Sequence, residues 1–340
     1  MPTKKMPMDL IETILVPHSG FTEAHNQMKQ LYEISGAVTK PVGKPLIAPS
    51  RTGKSRVIEE FVNCHPRSRV ADGLIVPVLS VKVPSKPTVK GLVEVLLSAL
   101  EDPKAHVGTE INKTNRLKKL LSKTRTRVMV LDEFQHFVDK SSMKVQHHLS
   151  DWLKIFLDDS GVALVVVGLE SSMAVLEQNE QLQGRLLAPV RLSRFDWNDE
   201  TQRTEFVAVL RSFESVLRNY VDLPEMANAN MGFRLYVATG GLIGYLTKLL
   251  DQLVWNAVTS NSTTLTLQDF NKAFKDSIAG DQDAKSSAGN PFLKSFSTEP
   301  TAANLAAAME VGVPQAAAAP QRRRSPTKKR TSASAALTAS

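Results

Sequence analysis

The sequence predicts an α/β fold, in which a parallel five-stranded sheet covered by helices is followed by a small all-helical lid. Two observations support this prediction. Short β-branched runs alternate with helical patterns from residue 44 to about residue 195, which is typical of a mainly parallel sheet with helices on both faces. From residue 199 to about residue 278 the apolar residues recur at helical spacing only.

Five short runs supply the predicted strands. They cover residues 45–47, 74–83, 128–131, 162–167 and 189–192. Pro77 and Pro84 lie in and just after the second run. Because proline is largely confined to edge strands, we expect the second strand at an edge of the sheet. In the lid, apolar stripes at helical spacing occur within residues 205–216 and 245–257.

The chain divides into four predicted parts. They are an N-terminal helical segment, the α/β domain, the lid and a disordered tail, at residues 1–43, 44–197, 198–279 and 280–340. The first part contains four apolar residues at helical spacing, namely Phe21, Ala24, Met28 and Leu31. The last part is predicted to be disordered because Ser, Ala, Gly and Pro dominate it and cannot supply a core.

The net charge of +8 is concentrated in the tail. Six basic residues lie close together there, and the rest of the chain is therefore near neutral; they are Arg322, Arg323, Arg324, Lys328, Lys329 and Arg330. A flexible basic arm of this kind contacts nucleic acid or another polyanion, or it is a solvated tail without a dedicated partner. The sequence leaves both possibilities open.

Composition excludes several classes of protein. With 340 residues, of which 42% are hydrophobic, the chain can bury a large core. The one cysteine, Cys64, excludes an internal disulfide and a four-thiolate zinc site. No stretch approaches the ~20 apolar residues that span a bilayer, and the N-terminal residues lack a secretory cleavage site. We therefore expect a cytoplasmic protein without a membrane partner.

A phosphate-binding loop is predicted between the first strand and an amphipathic helix. The loop residues are Ala48, Pro49, Ser50, Arg51, Thr52, Gly53, Lys54 and Ser55. In such loops backbone N–H groups wrap the phosphates, the lysine reaches the β- and γ-phosphates and the hydroxyl after it ligates Mg²⁺. Ala48 departs from the usual pattern, since glycine normally opens the loop. Alanine is small, so we expect the loop to tolerate it.

Two adjacent carboxylates, Asp132 and Glu133, follow the third predicted strand, about eighty residues after the loop. A phosphate-loop ATPase needs one carboxylate near Mg²⁺ and a second that polarises the attacking water. We assign the first role to Asp132 and the second to Glu133. Together the loop and the acid pair predict that the chain binds ATP with Mg²⁺ and hydrolyses ATP.

Three further polar residues are candidates for contact with the γ-phosphate. Glu170 and Ser171 follow the fourth strand, where a phosphate sensor and a plain loop fit equally well. Arg185 lies one helix later, near a predicted subunit edge. An arginine supplied by a neighbouring subunit stabilises the charge of the transition state. A surface arginine without that role is the alternative.

Four blocks of the sequence resemble the TniB/TnsC-type transposition ATPases, which are AAA+ proteins that accompany a DDE transposase. The blocks are PSRTGKS, LDEFQHFVD, VVVGLESS and RLYVATGGLIGYLTKLL, and the similarity spans about residues 18–274. The resemblance implies an AAA+ P-loop ATPase that assembles on duplex DNA, often as a helical filament. It also implies that the protein passes the chosen target site to a transposase and responds to a TniQ-like adaptor.

The same resemblance implies the nucleotide-site roles given above, with Arg185 as the arginine finger. The lid departs from the pattern of many AAA+ relatives, which place a sensing arginine after a glycine. Here Tyr245 follows Gly244. Because this sensing arginine is replaced, we expect weak or slow ATP hydrolysis.

Contacts with duplex DNA are expected from the segment between the second strand and the acid pair. Basic and hydroxyl side chains cluster in this segment, and contacts of this type position a duplex without reading its sequence. The candidate residues are Lys104, Thr109, Lys113, Arg116, Lys118 and Lys119.

The sequence thus favours an ATP-dependent, DNA-binding regulator of transposition that forms homo-oligomeric rings or filaments. A replication initiator or helicase loader shares the fold and the DNA contact, and it differs in its partner. A small-molecule P-loop kinase needs an arginine-rich mobile lid, and the Asp132–Glu133 pair argues against it. A scaffold that uses ATP only to hold subunits together stays open because of Tyr245.

Overall fold

The computed structural model describes residues 5–37, 41–279 and 289–313 of the chain. Seven strands form within these residues: β1 (Gly43–Ile47), β2 (Ser68–Val70), β3 (Gly73–Ile75), β4 (Val78–Lys82), β5 (Val128–Asp132), β6 (Ala163–Gly168) and β7 (Val190–Arg191). Five of them make one parallel sheet in the order β4–β5–β6–β1–β7. The predicted α/β fold with a parallel five-stranded sheet is confirmed.

The helices fall into three groups along the chain. One N-terminal helix precedes the sheet, α1 (Ser19–Ser35). Seven connect the strands: α2 (Lys54–Asn63), α3 (Val89–Ala99), α4 (Glu110–Lys123), α5 (His136–Asp139), α6 (Met143–Ser160), α7 (Met173–Leu176) and α8 (Glu180–Gln183). Five follow the sheet: α9 (Glu200–Leu217), α10 (Ala229–Thr239), α11 (Ile243–Ser260), α12 (Leu267–Phe274) and α13 (Ala302–Glu310).

The central strands are buried on both faces. In β5, Met129 and Leu131 belong to the core on one face of the sheet, whereas Val128 and Val130 belong to the core on the other. This alternation follows from the two-residue period of a strand. Helices α3, α4 and α6 cover the first face, and α1 and α2 cover the second. The predicted helical layers on both faces are therefore present.

The second predicted strand is two strands. The run at residues 74–83 divides at Val76 and Pro77, so that β3 pairs with β2 in a separate hairpin and β4 pairs with β5. Pro77 has no N–H for a sheet ladder, and its carbonyl accepts a hydrogen bond from the Arg127 N–H at 2.9 Å. The expectation that this run lies at a sheet edge is correct, because β4 is the outermost strand on its side.

The N-terminal residues connect the sheet to the lid. The four apolar residues predicted to share a face of α1 are all buried in that helix, at Phe21, Ala24, Met28 and Leu31. They pack against the sheet. Leu10 and Ile11, which precede α1, do not pack against the sheet. They are buried in the core of the lid, which α9 to α12 form. This segment therefore crosses from one domain to the other.

The prediction of disorder after residue 280 is wrong for residues 289–313. Phe292 and Ala308 are buried in the lid core. Two arginines fasten the segment by donating to its backbone carbonyls: Arg234 donates to Leu293 at 2.9 Å, and Arg194 donates to Met309 at 3.1 Å. The composition of the segment did not predict this order, since the two arginines lie 59 and 115 positions before the carbonyls that they contact. The basic residues 322–330 lie outside the described residues.

Candidate nucleotide-binding site

The predicted phosphate loop and acid pair meet at one edge of the sheet. The loop follows β1, the acid pair ends β5, and β6 lies between these two strands. All three strands are parallel, so their carboxyl ends share an edge. Ligands of open α/β sheets bind at this edge.

The phosphate loop, residues 48–55, has the backbone of a tight anion-binding turn. Gly53 has a φ of 94° and caps the start of α2, and Arg51 has a φ of 68°. The ammonium of Lys54 donates to the carbonyls of Ala48 and Pro49, both at 2.8 Å. The cation is therefore held over the loop, within reach of a group that the loop encloses.

Ala48 replaces the usual glycine without disturbing the loop. Its N–H donates to the Gly168 carbonyl at 3.0 Å, which continues the pairing of β1 with β6. Its side chain is 2% exposed and packs in the core beneath the loop. Because the methyl group faces the core, this position does not require glycine.

The acid pair faces the loop lysine. Asp132 is 4% exposed, and its Oδ1 accepts a hydrogen bond from the Glu133 N–H at 2.8 Å. Burial raises the pKa of Asp132, and the nearby charge of Glu133 raises that pKa further. Burial lowers the pKa of Lys54, and the charges of Glu133 and Asp132 oppose this shift. The three charged groups thus interact, as the predicted site requires.

Two polar side chains behind Glu133 were missed by sequence reasoning. The amide of Gln135 donates to the Glu133 carboxylate. Ser172 is fully buried at the end of β6, and its hydroxyl has no hydrogen-bond partner within the described part of the chain. A methyl group built on Gly168 would lie 3.0 Å from Gln135 Oε1 and closer still to Ser172 Oγ. Gln135 and Ser172 therefore form a polar cluster beside the acid pair.

The residues predicted to sense the γ-phosphate after β6 point elsewhere. Glu170 is exposed and forms an ion pair with Arg191 at 2.9 Å. Ser171 is also exposed. The buried polar group at this strand end is Ser172, one residue beyond the predicted pair, because the chain turns into a short 3₁₀ helix over Glu170–Ser172.

Arg185 is remote from the phosphate loop of its own chain. Its carbonyl accepts a hydrogen bond from the N–H of Gly43, the first residue of β1, whereas the loop follows the last residue of that strand. Four steps along a strand span about 13 Å. The guanidinium is one-third exposed and forms a two-pronged ion pair with Asp158, with Nη2 and Oδ2 2.8 Å apart. Arg185 is thus at the opposite end of the sheet from the loop.

The lid contacts the phosphate loop directly. The Gly244 N–H donates to the Arg51 carbonyl at 2.7 Å, and a methyl group built on Gly244 would lie 2.9 Å from that oxygen. The Arg51 guanidinium lies 5.4 Å from the ring centroid of Tyr245. Where AAA+ relatives place a lid arginine, this chain therefore pairs a lid tyrosine with an arginine of the loop.

A cavity of about 380 Å³ opens between the loop and the lid. It is bounded by the N-terminal residues from Ile11 to Phe21, by Gly53 and the start of α2, and by one face of α11. We call it the loop–lid cavity. Pockets of roughly 300–1,000 Å³ with mostly apolar walls are typical of small-molecule sites. Because the cavity begins at Gly53 of the phosphate loop, it offers space for the part of a nucleotide beyond its phosphates.

The predicted magnesium ligands fit a hydrated cation. Asp132 is a buried carboxylate whose pKa burial raises, and a nearby divalent cation offsets that effect. Ser55 is in the first turn of α2, on the edge where the acid pair lies. Mg²⁺ usually keeps several waters and takes one or two carboxylates plus substrate phosphates, rather than a cage of protein ligands. The residues present match that requirement.

The predicted DNA-contacting residues divide into two groups. Three are engaged within the protein. Lys113 is fully buried and ion-paired with Glu94, Arg116 pairs with Asp102, and Lys118 pairs with Asp159 at 2.6 Å. The prediction for Lys113 is wrong, because its ammonium also donates to the His106 carbonyl at 2.9 Å and joins α3 to α4.

Lys104, Thr109 and Lys119 make up the second group, and all three are exposed. The Arg116 guanidinium donates to the Lys104 carbonyl, so Lys104 lies beside α4. Lys119 is three residues after Arg116 on the same face of that helix. Thr109 caps the helix by accepting a hydrogen bond from the Asn112 N–H at 3.3 Å. These three residues form a small polar surface at α4.

The solved structures to which the chain is similar include the following three proteins. For Cdc6p from Pyrobaculum aerophilum the TM-score is 0.59 at 13% identity, over 80% of this chain and 71% of that one. For the Aeropyrum pernix ORC2 protein in its ADPNP–ADP complexes these values are 0.55, 14%, 79% and 72%. For the Aeropyrum pernix ORC1 protein in complex with DNA they are 0.57, 13%, 80% and 70%. This similarity shows an AAA+ fold.

A comparison with curated proteins finds no match. None of the helices in the described ranges is long and apolar enough to cross a membrane. A sequence model of the family described as "Bacterial TniB protein" matches residues 10–197, more than half of the chain. The chain therefore belongs to the TniB family and is an AAA+ ATPase.

Proposed function

We propose that the protein is an ATP-dependent, DNA-binding regulator of transposition. It assembles on target duplex DNA as a homo-oligomer, a ring or a helical filament, and recruits or activates a DDE transposase in concert with a TniQ-like adaptor. The observation that carries this proposal is membership of the TniB family over residues 10–197. We expect the protein to act in the cytoplasm, where target DNA and transposase meet.

In this proposal each residue of the nucleotide site has its own role. The N–H groups of the phosphate loop, residues 48–55, and the Lys54 ammonium hold the phosphates. Ser55 and Asp132 hold Mg²⁺, which neutralises phosphate charge when bound. Glu133 orients and polarises the attacking water once its carboxylate is released from Gln135.

Assembly completes the site. Arg185 cannot reach the phosphates of its own subunit from the far end of β1. In a head-to-tail oligomer, however, this end faces the nucleotide edge of the next subunit. Arg185 then exchanges Asp158 for the γ-phosphate of the neighbour and acts as an arginine finger. Hydrolysis therefore depends on assembly.

DNA binding uses the exposed surface at α4 formed by Lys104, Thr109 and Lys119. The helix N-terminus at Thr109 favours a phosphate, and Lys104 and Lys119 neutralise other phosphates along the duplex. One subunit offers few such contacts. Tight binding therefore needs several subunits on one duplex, which couples DNA affinity to nucleotide-driven assembly.

We expect ATP to raise the affinity for a labelled 60-base-pair duplex at least about tenfold, measured by fluorescence anisotropy. Lys119→Ala should weaken binding at all sequences and lower the salt dependence of the affinity by about one unit per subunit in contact. Arg211→Ala, an exposed arginine on α9, is the matched control and should leave both unchanged. Equal affinity with and without ATP would argue against this proposal.

A replication initiator or helicase loader is the second candidate, since the ORC1 protein with a similar fold is in complex with DNA. At 13% identity that similarity supports a fold, not a partner. The partner separates the two functions. DNA-bound protein that retains a purified transposase on beads, and not a replicative helicase, supports the transposition role; the reverse outcome supports a loader.

A further inference from the structure

One carboxylate in the loop–lid cavity has no role in the site described so far. Asp251 lies on α11 and lines the cavity together with Gly244 and Thr247. Its Oδ1 is buried and has no hydrogen-bond partner within the described residues. Buried polar atoms in folded proteins are almost always hydrogen-bonded, so an orphaned carboxylate oxygen at a cavity wall indicates an external donor.

The spacing along α11 places Asp251 at the far end of the cavity from the phosphates. Gly244, Thr247 and Asp251 share one helical face, because they are three and then four residues apart. Gly244 donates to Arg51 of the phosphate loop. Seven residues of helix rise about 10 Å, so Asp251 lies about that far from the loop contact along the helix axis. The loop–lid cavity, which Gly53 of the phosphate loop also lines, extends in this direction.

No cation among the described residues acts on the Asp251 carboxylate, since Arg56 at the same cavity wall pairs with Glu59 at 3.5 Å. Burial, together with the nearby charge of Glu12, raises the pKa of Asp251 to about 6. The other ionisable groups at the cavity wall are His18, Arg56 and Glu59. Burial lowers the pKa of His18, so its ring is neutral at pH 7. A carboxylate in such a place destabilises the folded protein, and a purely structural role does not account for it.

We propose that Asp251 reads the nucleotide base by accepting a hydrogen bond from the exocyclic amino group of adenine. This inference rests on nucleotide binding at the phosphate loop. A hypoxanthine or guanine base carries a carbonyl oxygen in place of that amino group, and its lone pairs repel the carboxylate. A hydrogen bond to a charged group corresponds to about a 10- to 100-fold difference in affinity. The protein therefore prefers ATP to ITP by about that factor.

Equilibrium binding of ATP and ITP to the full chain at pH 7.5 tests the proposal. In Asp251→Asn the affinity for ATP should fall about 10- to 100-fold, and the preference over ITP should disappear, because the amide also donates to a carbonyl. Without nucleotide, this variant should melt at the same temperature as the parent protein or a higher one, because it lacks a buried negative charge that Glu12 repels. Asp276→Asn, on an exposed position of the lid, is the matched control.

The pH dependence supplies a second readout. The ionised carboxylate accepts this hydrogen bond more strongly than the neutral acid does, so the affinity of the parent protein for ATP should fall as the pH drops through about 6. The Asp251→Asn variant should lack this part of the pH dependence.

The outcomes separate this inference from the nucleotide site itself. Loss of ATP binding in Lys54→Ala, with an unchanged ratio of ATP to ITP affinity in Asp251→Asn, would overturn the inference alone. ATP binding that does not depend on Lys54 would overturn the phosphate-loop assignment. A parent protein that prefers ITP or GTP to ATP would also contradict the role given to Asp251.

Discussion

Glu133→Gln is expected to lower ATP turnover on DNA by about 100- to 10,000-fold, while ATP affinity stays within a few fold of the parent. Among the described residues, Asp132 and Glu133 are the two acids whose charges act on Lys54, and the Mg²⁺-ligand role of Asp132 leaves Glu133 for the attacking water. Glutamine keeps the size and the hydrogen bonding of the side chain but cannot accept a proton. Phosphate release with saturating ATP and duplex DNA measures turnover, and calorimetry measures affinity.

Glu225→Gln, an exposed glutamate of the lid, is the matched control and should hydrolyse ATP like the parent. A Glu133→Gln protein that turns over ATP at the parental rate would show that Glu133 is not the base. A parent protein that binds ATP and hydrolyses none would instead support a scaffold that uses ATP only to hold subunits together.

Arg185→Ala and Glu133→Gln should each reduce ATP turnover by about 100-fold or more, yet an equal mixture of the two proteins should recover part of the activity. Both variants keep Lys54, so both should bind ATP and assemble. Arg185→Ala retains Glu133, and Glu133→Gln retains the arginine. In a head-to-tail assembly, random mixing gives about a quarter of the sites an intact Glu133 beside an intact arginine. Recovery towards a quarter of the parental rate is the expected result.

The mixing experiment is informative because the structure excludes that Arg185 acts on the nucleotide of its own subunit. Arg185 and the phosphate loop lie at opposite ends of β1, so no local motion of one subunit joins them. Lys154→Ala, which removes another basic neighbour of Asp158, is the control for loss of charge at that surface. If the mixture is as inactive as its two components, Arg185 is not part of the catalytic site.

Local sequence patterns predicted which residues meet at the candidate nucleotide-binding site because each motif is contiguous. A strand, a glycine-containing loop and a helix follow one another at residues 43–63, and Asp132 and Glu133 end a strand directly. The topology of a parallel sheet then brings these strand ends together. The departure at Ala48 proved harmless for a reason that needs three dimensions, since its side chain packs inward beneath the loop.

Other features depend on partners distant in sequence. In sequence, Lys113 resembles a DNA-binding lysine on α4. In the structure it donates a hydrogen bond to Glu94, 19 residues earlier, and this bond is the main reason why the pKa of Glu94 is lowered. Similarly, the Ala-rich segment after residue 289 has a poor composition for a core. It is ordered by Arg194, which follows β7, and by Arg234 of the lid, and both arginines donate to its carbonyls.

Electron microscopy of the protein with duplex DNA, with and without ATP, shows directly whether ATP drives its assembly on DNA. We expect rings or filaments on DNA that require ATP, and their absence in the Lys54→Ala protein under the same conditions. Protein that stays monomeric and free of DNA in every condition would contradict the proposed function.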